Sequence, residues 1–135
     1  MRPARFMLDT DTCSFLVRGA NAKLRLAVQQ HAESLCVSVI TAAELRFGAR
    51  KKNSRRITEA VSRFLELVDI VPWTEEAATR YADLRTHLET TGQPIGNMDM
   101  LIAASALAEG CRLVTHNLAH FRRVPALPVE DWTTA

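Results

Sequence analysis

Three carboxylates that are far apart in the sequence stand at the same edge of a predicted sheet. Asp9 closes the first predicted strand, Glu44 lies one helical turn beyond the second, and Asp99 opens the helix after a long crossover. Carboxylates held close together repel one another and raise one another's pKa, and a divalent cation relieves that repulsion. Mg²⁺ and Mn²⁺ prefer such oxygen ligands and can activate water against a phosphoryl group. The pattern predicts metal-assisted hydrolysis of phosphodiester bonds.

Other polar residues are predicted at this edge. Thr115 and Asn117 stand at the end of the fourth predicted strand, and Asp11 follows Asp9 by two residues. Asp11 would add a metal ligand or raise the pKa of a neighbouring carboxyl, or it would face away as a local helix cap. The sequence leaves these alternatives open.

Each acid also has a purely structural explanation. Asp9 would cap the helix that follows the first strand. The segment from Thr41 to Glu44 has the pattern of a capping box. Asp99 would be a favourable charge in a first helical turn capped by Asn97. If all three acids only cap helices, the chain is a non-catalytic binding module.

The acids can meet only if strands and helices alternate along the chain, and the apolar pattern predicts that they do. Strands are predicted at 5–9, 34–40, 69–73 and 111–115, with a short edge strand at 128–131. Helices are predicted within 10–17, 21–32, 41–50, 57–67, 74–92 and 98–110, with a helical turn at 117–121. This alternation predicts an α/β fold with a parallel central sheet of four to five short strands and helices on both faces. We expect residues 1–135 to form a single domain.

Composition excludes several classes of protein. Hydrophobic residues make up 47% of the 135 and charged residues 24%, which argues against disorder. No apolar run reaches the roughly 18 residues of a membrane span. Asp9 and Asp11 interrupt the apolar N-terminal run, so no signal peptide is predicted. The three cysteines, Cys13, Cys36 and Cys111, form no disulfide framework, which favours buried thiols in a reducing, cytoplasmic compartment.

The segment from Phe6 to Thr12 raises an alternative. Its letters, FMLDTDT, resemble the DxDx(T/V) signature of haloacid-dehalogenase-type phosphatases. Those enzymes require a lysine in a later motif, and the last lysine of this chain is Lys52. The same absence argues against a phosphoreceiver domain, so a small DxDxT-type phosphatase remains only the weaker alternative.

Motifs spread over the chain are similar to those of PIN-domain ribonucleases of the VapC-like toxin class, which belong to type II toxin-antitoxin systems. The matching segments are FMLDTDTCSF, SVITAAELRFGA, PIGNMDMLIAASAL and LVTHNLAHFRRVPALPVEDW. The most specific parts are Ser38-x-x-Thr41-x-x-Glu44 and the run from Ile95 through Asp99 to Ala103.

The resemblance implies roles for named residues. Asp9, Glu44 and Asp99 match the acids that hold Mg²⁺ or Mn²⁺, and Thr115 matches a hydroxyl that positions water or metal. Asn117 falls where the family often has a fourth acid, and being neutral it adds no charge. Asp11 stands where the family typically has asparagine, so it is a possible additional metal ligand.

The resemblance also implies partners. The family cleaves RNA, with tRNA as one possible substrate, usually forms homodimers, and is neutralised by a cognate antitoxin that enters the active-site groove. Fourteen of the 17 positive residues are arginine, a residue suited to phosphate and carboxylate contacts. Candidate phosphate-binding cations are Arg46, Arg50, Lys51, Lys52, Arg55, Arg56, Arg122 and Arg123. A solvated helix face is the alternative explanation for them.

A few residues are expected to have no role in the chemistry. Trp73 and Trp132 are predicted to pack in the interior, and Arg112 is predicted to be an ordinary strand residue. His116 and His120 lack the companions of a metal motif, so surface or structural roles are expected.

Overall fold

The computed structural model describes residues 5–134, which build a parallel sheet with helices on both faces. The strands are β1 (Phe6–Leu8), β2 (Leu35–Ser38), β3 (Asp69–Val71), β4 (Arg112–Val114) and β5 (Val129–Glu130). Their spatial order is β3-β2-β1-β4-β5, and all four pairings are parallel. The predicted α/β class, the parallel sheet and the short edge strand are confirmed.

Within residues 5–134, seven α-helices connect the strands. They are α1 (Thr10–Arg18), α2 (Ala22–Gln30), α3 (Val39–Lys52), α4 (Arg55–Leu67), α5 (Glu75–Thr90), α6 (Asn97–Glu109) and α7 (Leu118–Phe121), with a 3₁₀ turn at Ala32–Ser34. On one face of the sheet, Leu88 of α5 and Ile102 of α6 share a core with Met7. On the other face, Leu45 of α3 and Val61 of α4 pack with Leu8. Met7 and Leu8, which are neighbours in β1, therefore pack on opposite faces of the sheet, because successive side chains of a strand alternate between the faces.

The second strand ends earlier than predicted, at Ser38 rather than Ile40. Ser38 is the N-cap of α3, and its Oγ accepts a hydrogen bond from the Ile40 backbone N–H at 3.1 Å. Val39 and Ile40 follow Ser38, and their β-branched side chains led to the prediction that the strand continues. Because Ser38 caps α3, these two residues form the first turn of the helix instead. Thr41 lies buried inside α3, so the capping box predicted from Thr41 to Glu44 is wrong.

Two further details of the helices differ from the prediction. Gly96, not Asn97, is the N-cap of α6; Asn97 is its first residue and makes no side-chain cap bond. Asp99 nevertheless lies in the first turn, as expected. Helix α3 extends two residues beyond the predicted end at residue 50 and ends at Lys52. Its C-cap is Asn53, whose φ of 50° is left-handed. The basic residues at 50–52 therefore lie in the last turn of the helix.

The residues expected to be structural mostly pack as predicted. Trp132 is buried against Phe6, and the Trp73 indole N–H donates to the Leu101 carbonyl at 2.9 Å. Arg112 is more than an ordinary strand residue, because it forms an ion pair with Glu130 of the neighbouring strand. Cys13, Cys36 and Cys111 are buried free thiols. Within residues 5–134, no helix has the length and apolar content to cross a membrane.

We predict that Ser38→Ala lowers the free energy of unfolding by about 1 kcal/mol, because the variant loses the side-chain cap of α3. In a chain of this size the loss corresponds to a fall in Tm of about 4 °C. Ser62→Ala, an exposed change within α4, is the matched control and should leave Tm nearly unchanged. Thermal unfolding by circular dichroism measures both. Equal Tm values for the two variants would contradict the placement of the cap.

Candidate active site

Asp9 and Thr115 meet where the adjacent strands β1 and β4 end. The Thr115 hydroxyl donates to Asp9 Oδ2 at 2.6 Å, and both residues are buried. Asp9 Oδ1 accepts from the Thr12 backbone N–H at 2.9 Å, which makes Asp9 the N-cap of α1. Asp9 therefore caps α1 and also belongs to the predicted acidic site. Both carboxylate oxygens are fixed in direction by their donors.

Glu44 is tied to the same region through a threonine. The Thr10 hydroxyl, in the first turn of α1, donates to Glu44 Oε1 at 2.6 Å, and Thr41 Oγ1 lies 3.3 Å from Thr10 Oγ1. Glu44 thus faces α1 across the helix pair and does not cap its own helix. Thr10 was not among the residues predicted from the sequence, although its position directly after Asp9 was a usable signal.

Asp99 shows that the carboxylates share one electrostatic environment. Burial is the largest cause that raises the pKa of Asp99, to about 6, and the negative charges of Asp9, Asp11 and Glu44 follow in that order. The charge of His120 acts in the opposite direction. The charges of both other predicted acids, Asp9 and Glu44, therefore act on Asp99, and so does the charge of Asp11.

Asp9 is also affected by this environment. Burial raises its pKa above the ordinary value, and the charge of Asp11 adds a small increase. The hydrogen bonds from Thr115 and Thr12 partly offset the effect of burial. These two donors stabilise the ionised form of a carboxylate that is otherwise cut off from water.

Asp11 is exposed in the first turn of α1 and does not act as the cap. With Glu44 it lines a groove of about 260 Å³ between α1, α3 and α4. Lys52 and Arg18 line the same groove, which therefore carries both signs of charge. Lys52 was among the predicted phosphate-binding cations, whereas Arg18 was missed.

The other predicted cations are less informative. Arg55 forms an exposed ion pair with Glu59 at 3.1 Å, and Arg123 Nη1 donates to the Pro94 carbonyl at 2.9 Å. Arg46, Arg50, Lys51, Arg56 and Arg122 are exposed. A solvated surface therefore remains an adequate explanation for these five side chains.

Asn117 extends the hydrogen-bonded group beyond Thr115. Its backbone N–H donates to Thr115 Oγ1 at 2.9 Å, and its side-chain Nδ2 lies 2.7 Å from His120 Nδ1. His120 is thus part of the site's surroundings, where the sequence predicted only a surface or structural role. Its spacing of three residues from Asn117, on one helical turn, was the available signal. His116 instead contacts Asp131 at 3.2 Å.

The donor set fits a hard divalent cation. Asp9, Asp11, Glu44 and Asp99 offer only oxygen, and among residues 5–134 none of the four forms an ion pair with a lysine, arginine or histidine. In the same part of the chain, no three His, Cys, Asp or Glu side chains are close enough to enclose an ion by themselves. Mg²⁺ and Mn²⁺ can bind with few protein ligands, because they keep several waters in their coordination shell.

Comparisons with known proteins identify the family of the chain. Residues 6–127 match the family described as PIN domain. The chain is 33% identical over 129 residues to the tRNA(fMet)-specific endonuclease VapC of Salmonella typhimurium, covering 95% of this chain and 98% of that protein. It is 33% identical to Ribonuclease VapC2 of Rickettsia felis over 132 residues, covering 94% and 97%.

Solved structures show the same fold. A VapBC2 structure from Rickettsia felis, bound to a promoter DNA fragment, matches with a TM-score of 0.88 at 33% identity over 94% of this chain and 98% of that one. DNA-bound VapBC from Salmonella typhimurium matches with a TM-score of 0.88 at 32% identity over 96% and 99%. These full-length matches favour the predicted ribonuclease over the phosphatase. The chain belongs to the VapC family of PIN-domain ribonuclease toxins.

Proposed function

We propose that this chain is an endoribonuclease that depends on Mg²⁺ or Mn²⁺. The observation that carries the proposal is the charge that Asp9, Asp11 and Glu44 exert on Asp99. Among residues 5–134, none of these four carboxylates forms an ion pair. Asp9, Glu44 and Asp99 would hold the ion, with Asp11 as a possible additional ligand. A bound ion supplies a more acidic water and neutralises charge on the phosphate.

The chain's own residues would prepare this site. Hydrogen bonds from Thr115 and the Thr12 backbone N–H favour the ionised form of Asp9 and fix the direction of its oxygens, and Thr10 holds Glu44. The Thr115 hydroxyl hydrogen is already given to Asp9, so we assign Thr115 to positioning that carboxylate rather than to direct contact with the attacking water. Asn117 would contribute a neutral amide beside the acids.

We propose RNA, and tRNA in particular, as the substrate. The support is the whole-length similarity to a relative named as a tRNA(fMet)-specific endonuclease. The groove beside Asp11 and Glu44 adds support, because Arg18 and Lys52 line it and can contact phosphates. Contacts of this kind position a nucleic acid without reading its bases.

A cognate antitoxin is the proposed protein partner. Support comes from the similar solved VapBC assemblies. An apolar groove of about 410 Å³ between α1, α2 and α4 is suited to such a partner, with Leu16, Val28 and Phe64 in its wall. Leu67 at its rim is 86% exposed, an unusual state for a large aliphatic side chain.

We also propose a homodimer. Phe47 and Met98 are 67% and 49% exposed, and with Ile40, Ala43 and Leu101 they line an apolar hollow between α3 and α6. Glu44 borders the same hollow, so a second copy seated there would lie beside the active site. A self-complementary apolar patch of this kind is typical of two-fold interfaces.

Residues 1–135 are proposed to act as one domain in the cytoplasm. The family match over residues 6–127 supports the single domain. The three buried free cysteines support a reducing compartment.

We predict that Asp99→Asn reduces Mn²⁺-dependent cleavage of tRNA by at least about 100-fold, because loss of a ligand exceeds the cost of losing an outer partner. Asp83→Asn, an exposed change on α5, is the matched control and should cleave at the normal rate. Gel-resolved cleavage with and without EDTA measures both. Equal rates for the two variants would contradict the assigned site, as would cleavage that persists in EDTA.

We predict that the same Asp99→Asn change stabilises the metal-free protein at pH 8. The folded-state pKa of Asp99, about 6, lies above the ordinary value of 3.8, so the carboxyl contributes stability when protonated and that contribution is lost as pH rises through 6. Removing the charge should therefore add about 1 kcal/mol at pH 8, a figure reduced for solvent screening of this partly exposed group. The gain should disappear near pH 3.5.

Urea unfolding in EDTA at the two pH values measures this difference. Asp83→Asn again serves as the control, since Asp83 is exposed on α5. A destabilised Asp99→Asn protein at pH 8 would show that Asp99 is held by favourable contacts rather than strained by its neighbours.

We predict that Phe47→Ser weakens self-association by about ten-fold or more, because it removes an aromatic anchor from the apolar hollow. Leu26→Ser is the matched control, since Leu26 is 56% exposed on α2, away from that hollow. Sedimentation velocity over a range of concentrations measures both variants. A Phe47→Ser protein that associates as the unmodified chain does would place the interface elsewhere.

A further inference from the structure

Two buried cysteines form a close pair beside the sheet, apart from the carboxylates. Cys36 lies in β2 and Cys111 directly precedes β4, with β1 between these two strands. Their Sγ atoms are 3.7 Å apart, and their side chains are 0% and 2% exposed. Cys36 is paired in register with Met7, which belongs to the same core cluster as both cysteines.

A disulfide does not suit this pair. The backbones of β2 and β4 are separated by two interstrand spacings of about 4.8 Å each, because β1 runs between them. A disulfide requires Cα atoms within about 7 Å of each other. The sulfurs approach because both side chains lean over β1, and closing them to bonding distance would require the sheet to deform.

The observed separation does suit two thiolates on one ion. With metal–sulfur bonds of about 2.3 Å, two ligand sulfurs lie about 3.8 Å apart at a tetrahedral angle and about 4.0 Å apart at a trigonal angle. We propose that Cys36 and Cys111 form a binding site for a soft monovalent d¹⁰ cation of the Cu⁺ class. Thiolate and thioether sulfur are the ligands that select such ions, and Met7 lies on the strand between the two thiols.

Binding requires each thiol to give up a proton, and two thiolates with one monovalent cation carry a net charge of −1. The hydrogen bond between the thiols raises the pKa of Cys36 and lowers that of Cys111, and burial raises the pKa of both. The positive charge of the Arg5 guanidinium acts against burial on both thiols. An ion pair with Asp69 at 3.8 Å holds Arg5 at this end of the sheet.

The carboxylate site and the thiol site differ in the hardness of their ligand atoms and in their position on the sheet. The carboxylates follow the carboxyl ends of the strands, whereas Cys111 precedes the amino end of β4. Oxygen ligands select Mg²⁺ and Mn²⁺, and sulfur ligands select Cu⁺, so neither ion competes for the other's site. The thiol site does not depend on the proposed nuclease activity.

Silver(I) is the probe, because it binds as Cu⁺ does without redox chemistry. Native mass spectrometry of the reduced full chain with one equivalent of Ag⁺ should show one bound ion. Cys36→Ala and Cys111→Ala should each weaken binding by more than about 100-fold, beyond the usual cost of an outer partner. Cys13→Ala is the matched control, since Cys13 is buried without a thiol partner, and it should bind as the unmodified chain does.

X-ray absorption at the silver edge on the unmodified chain requires no variant and should show at least two sulfur neighbours. The proposal is overturned if no silver binds, if the three alanine variants bind equally, or if only one sulfur neighbour is seen. Rapid formation of a Cys36–Cys111 disulfide with diamide would also overturn it, because the pair would then be a redox couple rather than a cation site.

Discussion

Repulsion among carboxylates is the constraint on which the functional part of this molecule depends. Asp9, Asp11, Glu44 and Asp99 come from three helices or their caps, and their mutual charge helps to hold the pKa of Asp99 near 6. A fold that keeps such a group together without a balancing cation is destabilised by it above that pH. The rest of the chain compensates with packing on both faces of the sheet and with hydrogen bonds that fix individual oxygens.

The parallel sheet makes this arrangement possible. Because β1, β2 and β4 run in the same direction, Asp9, Thr115 and the start of α3 arrive at one edge. Caps then set the direction of each helix: Asp9 caps α1, and Ser38 caps α3. The Thr115 hydroxyl and the Thr10 hydroxyl complete the arrangement by holding Asp9 and Glu44. The interactions that position the candidate active-site residues therefore also hold neighbouring helices and strands together.

Much of this was predictable from sequence. Continuous apolar runs predicted the strands. The acids near the strand ends predicted that Asp9 and Glu44 would act on Asp99, and their charges do raise its pKa. The start of α3 was misplaced because Val39 and Ile40 have strand-like side chains, and only the hydrogen bond from Ile40 to Ser38 decides the boundary. Residues that act through distant partners were missed for a similar reason. The position of Thr10 directly after Asp9 could have placed it at the site, but its hydrogen bond to Glu44 spans 34 positions and no local pattern encodes that contact.

Calorimetric titration of the chain with Mn²⁺ at pH 6, in two buffers of different ionisation enthalpy, tests the central claim most directly. If the carboxylates hold the ion, Mn²⁺ binding must displace the proton from Asp99. At pH 6 this carboxyl is about half protonated, because its pKa is about 6. The account predicts binding with release of about half a proton per ion, falling toward zero at pH 8. Absence of Mn²⁺ binding, or binding with no proton release at pH 6, would contradict it.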